Sequence, residues 1–392
     1  MLARDCVVLG DLHLTRHSPR ELGIDLARLF ESHMGSTVVV AGDLFDLVLD
    51  SESADRARAI AEVLGVHPEA RAALGRFLDA GGELVLIGGN HDADVAYARD
   101  ALLRAIGAAN DASLRVSPWF WRHGDLHVEH GHFYDPDNAP AHPLVRGEPS
   151  LGVHFSAEFM RATQAHRYLS TNDAPPLEMF LSAFRWYGPR APYVIYRYFR
   201  AAFGALAKSG PFYRAHGERD VGAAAQAAYA SEAGISLDLL EHMLGLGARS
   251  TLESFAATFA RLYLDRAGAT IMTAAGLGAF AKGQRAAGGA LVTLGSMLML
   301  SSWFAGHDRY GGQVVDRLRA AAGKISETTG AKLVIFGHTH REALEQSYAN
   351  TGSFGFPREA PGRPYLVIAP SGRPARRYLA PLSGAPSSLR TA

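Results

Sequence analysis

Cys6–His13, CVVLGDLH, decides the reading of this chain. Four uncharged residues, with two adjacent valines at their centre, stop at Gly10, and Asp11 and His13 follow. Such a run reads as a buried β-strand, so a carboxylate and an imidazole stand where a strand ends. The design recurs. Thr37–Ala41 (TVVVA) runs into Gly42 and Asp43, and Leu84–Ile87 (LVLI) leads to Asn90, His91 and Asp92. Asp125–His132 (DLHVEHGH) alternates as a strand should and ends in His130, Gly131 and His132, while Leu333–Phe336 (LVIF) runs into Gly337, His338 and His340.

Near-continuous apolar strands are those buried on both faces, and open α/β sheets place their chemistry outside the strands' carboxyl ends. Glycine at each exit lets the chain turn sharply beside a ligand. The pooled exits offer Asp11, His13, Asp43, Asn90, His130, His338 and His340, a set of carboxylate, imidazole and amide with no thiolate. That set suits one or two divalent ions such as Mn, Fe, Zn or Mg. If there are two, Asp43 is the natural bridge, because each carboxylate oxygen can take a different ion. Alone, a Gly-Asp pair after a strand is often only a turn, and a lone histidine is more often a core or surface residue. Five such exits in one chain point to a metal centre.

Composition narrows the classes. The chain has 392 residues, and its 39 Lys and Arg equal its 39 Asp and Glu. No overall positive field is present to hold nucleic acid, and no nucleic-acid partner is expected. The single cysteine, Cys6, lies inside the first strand, which excludes a disulfide framework and fits core packing in a reducing compartment. No charged segment followed by an apolar one precedes that strand, so a cytoplasmic location, or one at the inner face of a membrane, is expected.

The blocks GDLH (10–13), GDLFD (42–46), GNHD (89–92), HGH (130–132) and GHTH (337–340) resemble the calcineurin-like metallophosphoesterase superfamily. The resemblance covers about residues 4 to 140 and 325 to 372. It implies a four-layer αββα sandwich of two mixed sheets, interrupted here by a large, mostly helical insertion. It also implies two divalent ions, manganese first among them, with Asp11, His13 and His340 on one, Asn90, His130 and His338 on the other, and Asp43 bridging. The activity implied is hydrolysis of a phosphoester or pyrophosphate by a metal-bridging hydroxide. His91 would stabilise the transition state or protonate the leaving oxygen. Asp92 would fix the His91 tautomer or cap the following helix. His132 is left outside the ligand set, and Asp46 has either a supporting role behind the ligands or a surface role.

Asp46 is followed by Leu47 and Val48, where the protein serine/threonine phosphatases of that superfamily carry arginine and glycine. The UDP-2,3-diacylglucosamine pyrophosphatases are similar in GDLF, in the HG block and in having a helical insertion, but carry arginine where this chain has His91 and aspartate where it has His132. Asn350–Phe354 (NTGSF) looks like a segment of their relatives, or forms a simple turn. A phosphorylated small molecule or a lipid-linked substrate is therefore expected. The alternatives are a soluble nucleotide or cyclic-nucleotide phosphodiesterase and a non-catalytic scaffold.

The expected organisation is a core in two parts, 1–145 and 325–382, an insertion at 146–324 and a tail at 383–392. Apolar residues at three- and four-residue spacing make the insertion helical, with Pro175, Pro176, Pro189 and Pro192 punctuating it. Phe184–Arg200 mixes aromatics with arginines, which suits either phosphate recognition or an amphipathic helix. Ala267–Ala281 and Ala286–Gly306 are uncharged and separated by KGQR. As helices they would span roughly 22 and 31 Å. Ligand blocks flank them, so the chain crosses a membrane an even number of times or not at all, and two crossings would carry Lys282 and Arg285 outward against the positive-inside bias. A hairpin buried in the insertion, or lying on a membrane as a peripheral contact through 267–306, is expected.

Overall fold

A computed structural model describes residues 3–50, 55–164, 176–213, 215–304, 313–357 and 362–380. Pro175, the stretch 165–169, Ala305, Gly306 and the tail 383–392 lie outside the described residues. The protein is α/β, with two mixed sheets. Its strands are β1 (Cys6–Leu9), β2 (Thr37–Val40), β3 (Glu83–Ile87), β4 (Leu114–Ser117), β5 (Phe120–His123), β6 (Leu126–Glu129), β7 (Leu333–Phe336), β8 (Ala343–Leu344), β9 (Tyr348–Asn350), β10 (Arg363–Ile368) and β11 (Pro374–Leu379). One sheet has the order β11-β10-β1-β2-β3-β4 and the other β5-β6-β7-β9-β8.

Within the first sheet β1 to β4 run parallel, and β10 is antiparallel to β1. In the second, β6, β7 and β9 run parallel between the antiparallel edges β5 and β8. The period-2 alternation of strand side chains gives each strand two destinations. Cys6, Val8, Val39, Val85 and Ile87 meet Leu126, Val128, Leu333 and Ile335 of the other sheet in one core. Val7, Leu9, Val38, Leu84 and Leu86 point the other way, into a core with helices Arg20–Ser32, Arg56–Val66 and Pro68–Asp79. Val334 and Phe336 point away from the first sheet, into a core with Tyr229, Leu240, Met243 and Leu318. Both faces of β1, β2 and β7 are therefore dry, as their uncharged composition requires. Cys6 is wholly buried, and burial pushes its thiol up to about 12, so it packs and does not react.

The chain divides into two compact units, one of residues 1–157, 215–249 and 314–392, the other of 158–214 and 250–313. All eleven strands among the described residues belong to the first. Helices Ala215–Ala233 and Leu237–Leu244 fall within the span read from sequence as insertion, yet they cover the second sheet: the Tyr229 hydroxyl lies 3.0 Å from Ser117 Oγ and accepts from the Phe120 backbone N–H. The second unit is helical among its described residues. Pro176 opens one helix, and Pro189 and Pro192 lie in the first turns of two others, where a missing N–H costs nothing. Leu264–Ala281 and Arg285–Phe304 form the expected hairpin. It is not buried in the insertion: the two helices pack on each other and turn their large apolar side chains outward.

Candidate metal centre

The exits of β1, β2 and β3 and those of β6 and β7 converge at one edge of the paired sheets. Backbone hydrogen bonds brace them, with Leu12 N and His13 N both donating to Asp43 O, and Gly337 N donating to His130 O. The NTGSF segment is a buttress more than a free turn. The Asn350 amide donates to Gly337 O at 2.6 Å, Ser353 Oγ donates to Asp11 O at 2.7 Å, and Phe354 N donates to Gly10 O. Two glycines make room for side chains arriving from elsewhere. Gly42 has φ +83°, and a Cβ there would lie 2.5 Å from His130 Cγ; one on Gly89 would lie 2.6 Å from Asp43 N.

Seven non-glycine residues among those described have left-handed backbone, and five of them are Asp11, His13, Asp43, His338 and His340. Each is held at φ between 50° and 69°, a conformation that costs energy unless the surroundings enforce it. The side chains converge. His13 Nε2 lies 3.1 Å from His340 Nε2, which is 3.2 Å from Asp11 Oδ1. His130 Nε2 lies 3.3 Å from Asp43 Oδ2 and 3.0 Å from Asn90 Oδ1, while its Nδ1 faces Ala41 O. Three groups have the spacing to hold a cation: Asp11, His13 and His340; Asp11, Asp43 and His130; and His13, Asp46 and His91.

Asp11, Asp43, Asp46, Asp92 and Asp135 are each no more than 4% exposed. So many carboxylates out of water need positive partners, and the histidines supply part of the charge. Burial alone would raise Asp43, but His130, His91 and His13 hold it well below the ordinary carboxylate range. The reciprocal effect raises His130 to about 9 against its burial, chiefly through Asp43, and His91 to about 10, chiefly through Asp46 and Asp43. These buried His and Asp groups could hold a metal ion, and its bound charge would take the place of those protons.

Three placements add to the sequence reading. Asp92 does not orient His91. Its Oδ1 accepts from Gly89 N and Asp43 N and its Oδ2 from Phe45 N, and it makes no side-chain cap to the following helical turn. Asp46, wholly buried, takes that position, with Oδ1 3.0 Å from His91 Nδ1 and Oδ2 3.3 Å from His13 Nδ1. Asp92 is turned inward because three backbone N–H groups of adjoining loops need an acceptor there. His338 is met by Asp135, whose Oδ2 lies 2.9 Å from His338 Nε2 and accepts from the Asn138 amide, while Asn138 Oδ1 accepts from Asn90. Asp135 and Asn138, from DPDN (135–138), escaped the sequence reading. His132 lies beside the cluster, its ring centroid 5.2 Å from that of His130, and its buried Nδ1 has no hydrogen-bond partner. Burial and the neighbouring His130 and His338 keep it well below the usual imidazole range. No protein-family model matches the chain, and neither does any curated protein.

Proposed function

We propose that this protein is a divalent-metal-dependent phosphohydrolase of the calcineurin-like type, built on a four-layer αββα sandwich and cutting a phosphoester or pyrophosphate bond. What supports it most is the backbone at the strand exits. Left-handed strain is concentrated on Asp11, His13, Asp43, His338 and His340, whose side chains share one buried cluster, and such strain persists where a site demands it.

In this proposal Asp11, His13 and His340 hold one ion, Asn90, His130 and His338 a second, and Asp43 serves both, with manganese the preferred metal. Asp135 meets His338 Nε2, and in the carboxylate–histidine arrangement that fixes metal-binding imidazoles the other ring nitrogen would be the ligand atom. The bound ions supply an acidified water and neutralise phosphoryl charge. His91, held by Asp46, would pass a proton to a departing oxygen.

The test is manganese-dependent hydrolysis by the full chain, with Asp43→Asn as control, on a monoester, a diester, a soluble pyrophosphate and a detergent-dispersed lipid pyrophosphate. Turnover of one class, lost in the variant, is the expected result and identifies the bond. Metal binding without turnover of any class would leave a scaffold and overturn the proposal.

A further inference from the structure

The neutral total charge conceals an uneven division. The helical unit, residues 158–214 and 250–313, carries 13 Lys and Arg against 6 Asp and Glu, a net of +7, which leaves the unit with the sheets 26 against 33. The basic unit is also the one that carries the hairpin of Leu264–Ala281 and Arg285–Phe304.

That hairpin is closed upon itself by small residues. Gly288, Gly295 and Ser302, seven apart, form the buried seam of the second helix. A Cβ on Gly276 would lie 2.7 Å from Val292 N, and one on Gly295 2.8 Å from Ala269 O, so the two backbones touch. This is the close approach that small residues permit between membrane helices. Large apolar side chains off the seam face outward. Ile271, Leu277, Leu294, Met297, Leu300 and Phe304 are each at least 55% exposed, and the last four surround the second helix on its back and both flanks.

A helix apolar on all sides belongs in a protein core or in lipid, and this one is in no core formed by the described residues. Arg285–Phe304 is, among the described residues, the one helix long and apolar enough to cross a membrane, with mean hydropathy 1.4. Its 20 residues extend about 30 Å, the thickness of a bilayer's hydrocarbon. Charges bracket the apolar length. Asp265 and Arg266 stand at the base, where Arg266 Nε donates to Ser302 Oγ, and Lys282 and Arg285 stand at the tip. A helix lying on a membrane surface keeps a polar face toward water, and neither helix here has one.

We infer that the hairpin inserts into an anionic lipid bilayer, anchoring the protein, with Trp303 near the base among the headgroups and Lys282 and Arg285 snorkelling from the tip to the phosphates of the far leaflet; the exposed apolar surface outweighs the positive-inside bias that Lys282 and Arg285 oppose there. A protein partner would cover one side of the pair, whereas lipid covers all of them, and the net charge of the unit is the complement of phosphatidylglycerol or phosphatidylserine. The anchor is independent of catalysis.

The test is flotation of the purified full chain with vesicles. Vesicles containing phosphatidylglycerol should bind it at least about tenfold more tightly than phosphatidylcholine alone, and a high-salt wash should not release it. Leu294→Glu with Met297→Glu changes two exposed side chains, so circular dichroism should be unaltered while binding falls at least about a hundredfold. Val66→Glu, exposed in the other unit, should bind as the parent does. Absence of vesicle binding, undiminished binding by the double variant, complete release by salt, or a dimer that the double variant dissociates would each overturn the inference.

Discussion

Three glycine-to-alanine substitutions separate the energy terms that build the candidate centre. Gly35 has φ +75° and open space around its missing side chain, so Gly35→Ala carries only the left-handed penalty of about 1–2 kcal/mol. Gly89 has ordinary φ, but its new Cβ would press on Asp43 N at 2.6 Å, and Gly89→Ala carries the overpacking term of about 1–3 kcal/mol. Gly42 has both, with φ +83° and the His130 ring in the way, which puts Gly42→Ala at about 2–5 kcal/mol. At roughly 2–4 °C per kcal/mol for a domain of this size, the unfolding midpoint should fall by about 4 °C in the first and about 10 °C in the last. Thermal unfolding in chelator measures the fold alone, and equilibrium dialysis against manganese reads the site. Gly35→Ala should retain full uptake and the other two should lose it, because His130 or Asp43 is displaced. Gly42→Ala no less stable than Gly35→Ala, with uptake intact, would refute the packing described here.

Above about pH 6.5 the metal-free protein should lose stability as pH rises. His130 and His91 are raised in the fold to about 9 and about 10, above their unfolded value, so their contribution is complete below about 6.5 and is lost on passing through about 9 to 10. Asp92, raised to about 7 by burial and by Asp43, contributes with the same sign at lower pH, up to about 7, where His132, held low, contributes with the opposite sign. Manganese should restore more stability at pH 9 than at pH 6, and denaturation profiles with and without metal check both signs. Asp46→Asn removes the carboxylate that holds His91 and should lower kcat by roughly tenfold to a hundredfold with KM little changed. An unaltered kcat would remove Asp46 from that position. Asp135→Asn should weaken uptake at the His338 side by roughly tenfold to a hundredfold while leaving the other ion bound, read as a split in a manganese titration.

What sequence showed and what it hid have physical causes. The exits at Asp11, Asp43, Asn90 and His338 were legible because a parallel strand buried on both faces is apolar and must then turn sharply, and the exit at His130 because its strand alternates. The partnership of Asp135 with His338 was not, since 203 residues separate them and DPDN by itself reads as a turn. The exchange of roles between Asp46 and Asp92 was hidden for a similar reason: neighbouring residues in a tight loop point to opposite sides, and only the positions of the Asp43, Phe45 and Gly89 N–H groups decide which carboxylate turns inward. Amphipathic spacing marked residues 215–249 as helical without naming the surface they cover, which Tyr229, Leu240 and Met243 fix only once the second sheet exists. Lack of charge marked 267–306 as unusual, but the outward aim of Leu294 and Met297 depends on which face Gly288 and Gly295 give to the partner helix.

The central claim is that the buried Asp and His cluster holds divalent metal. Metal content of the purified full chain after dialysis against manganese, measured beside Asp43→Asn, tests it most directly. Stoichiometric manganese in the parent and its loss from a folded variant are expected. A folded parent that retains none, or a variant that retains as much, would contradict it.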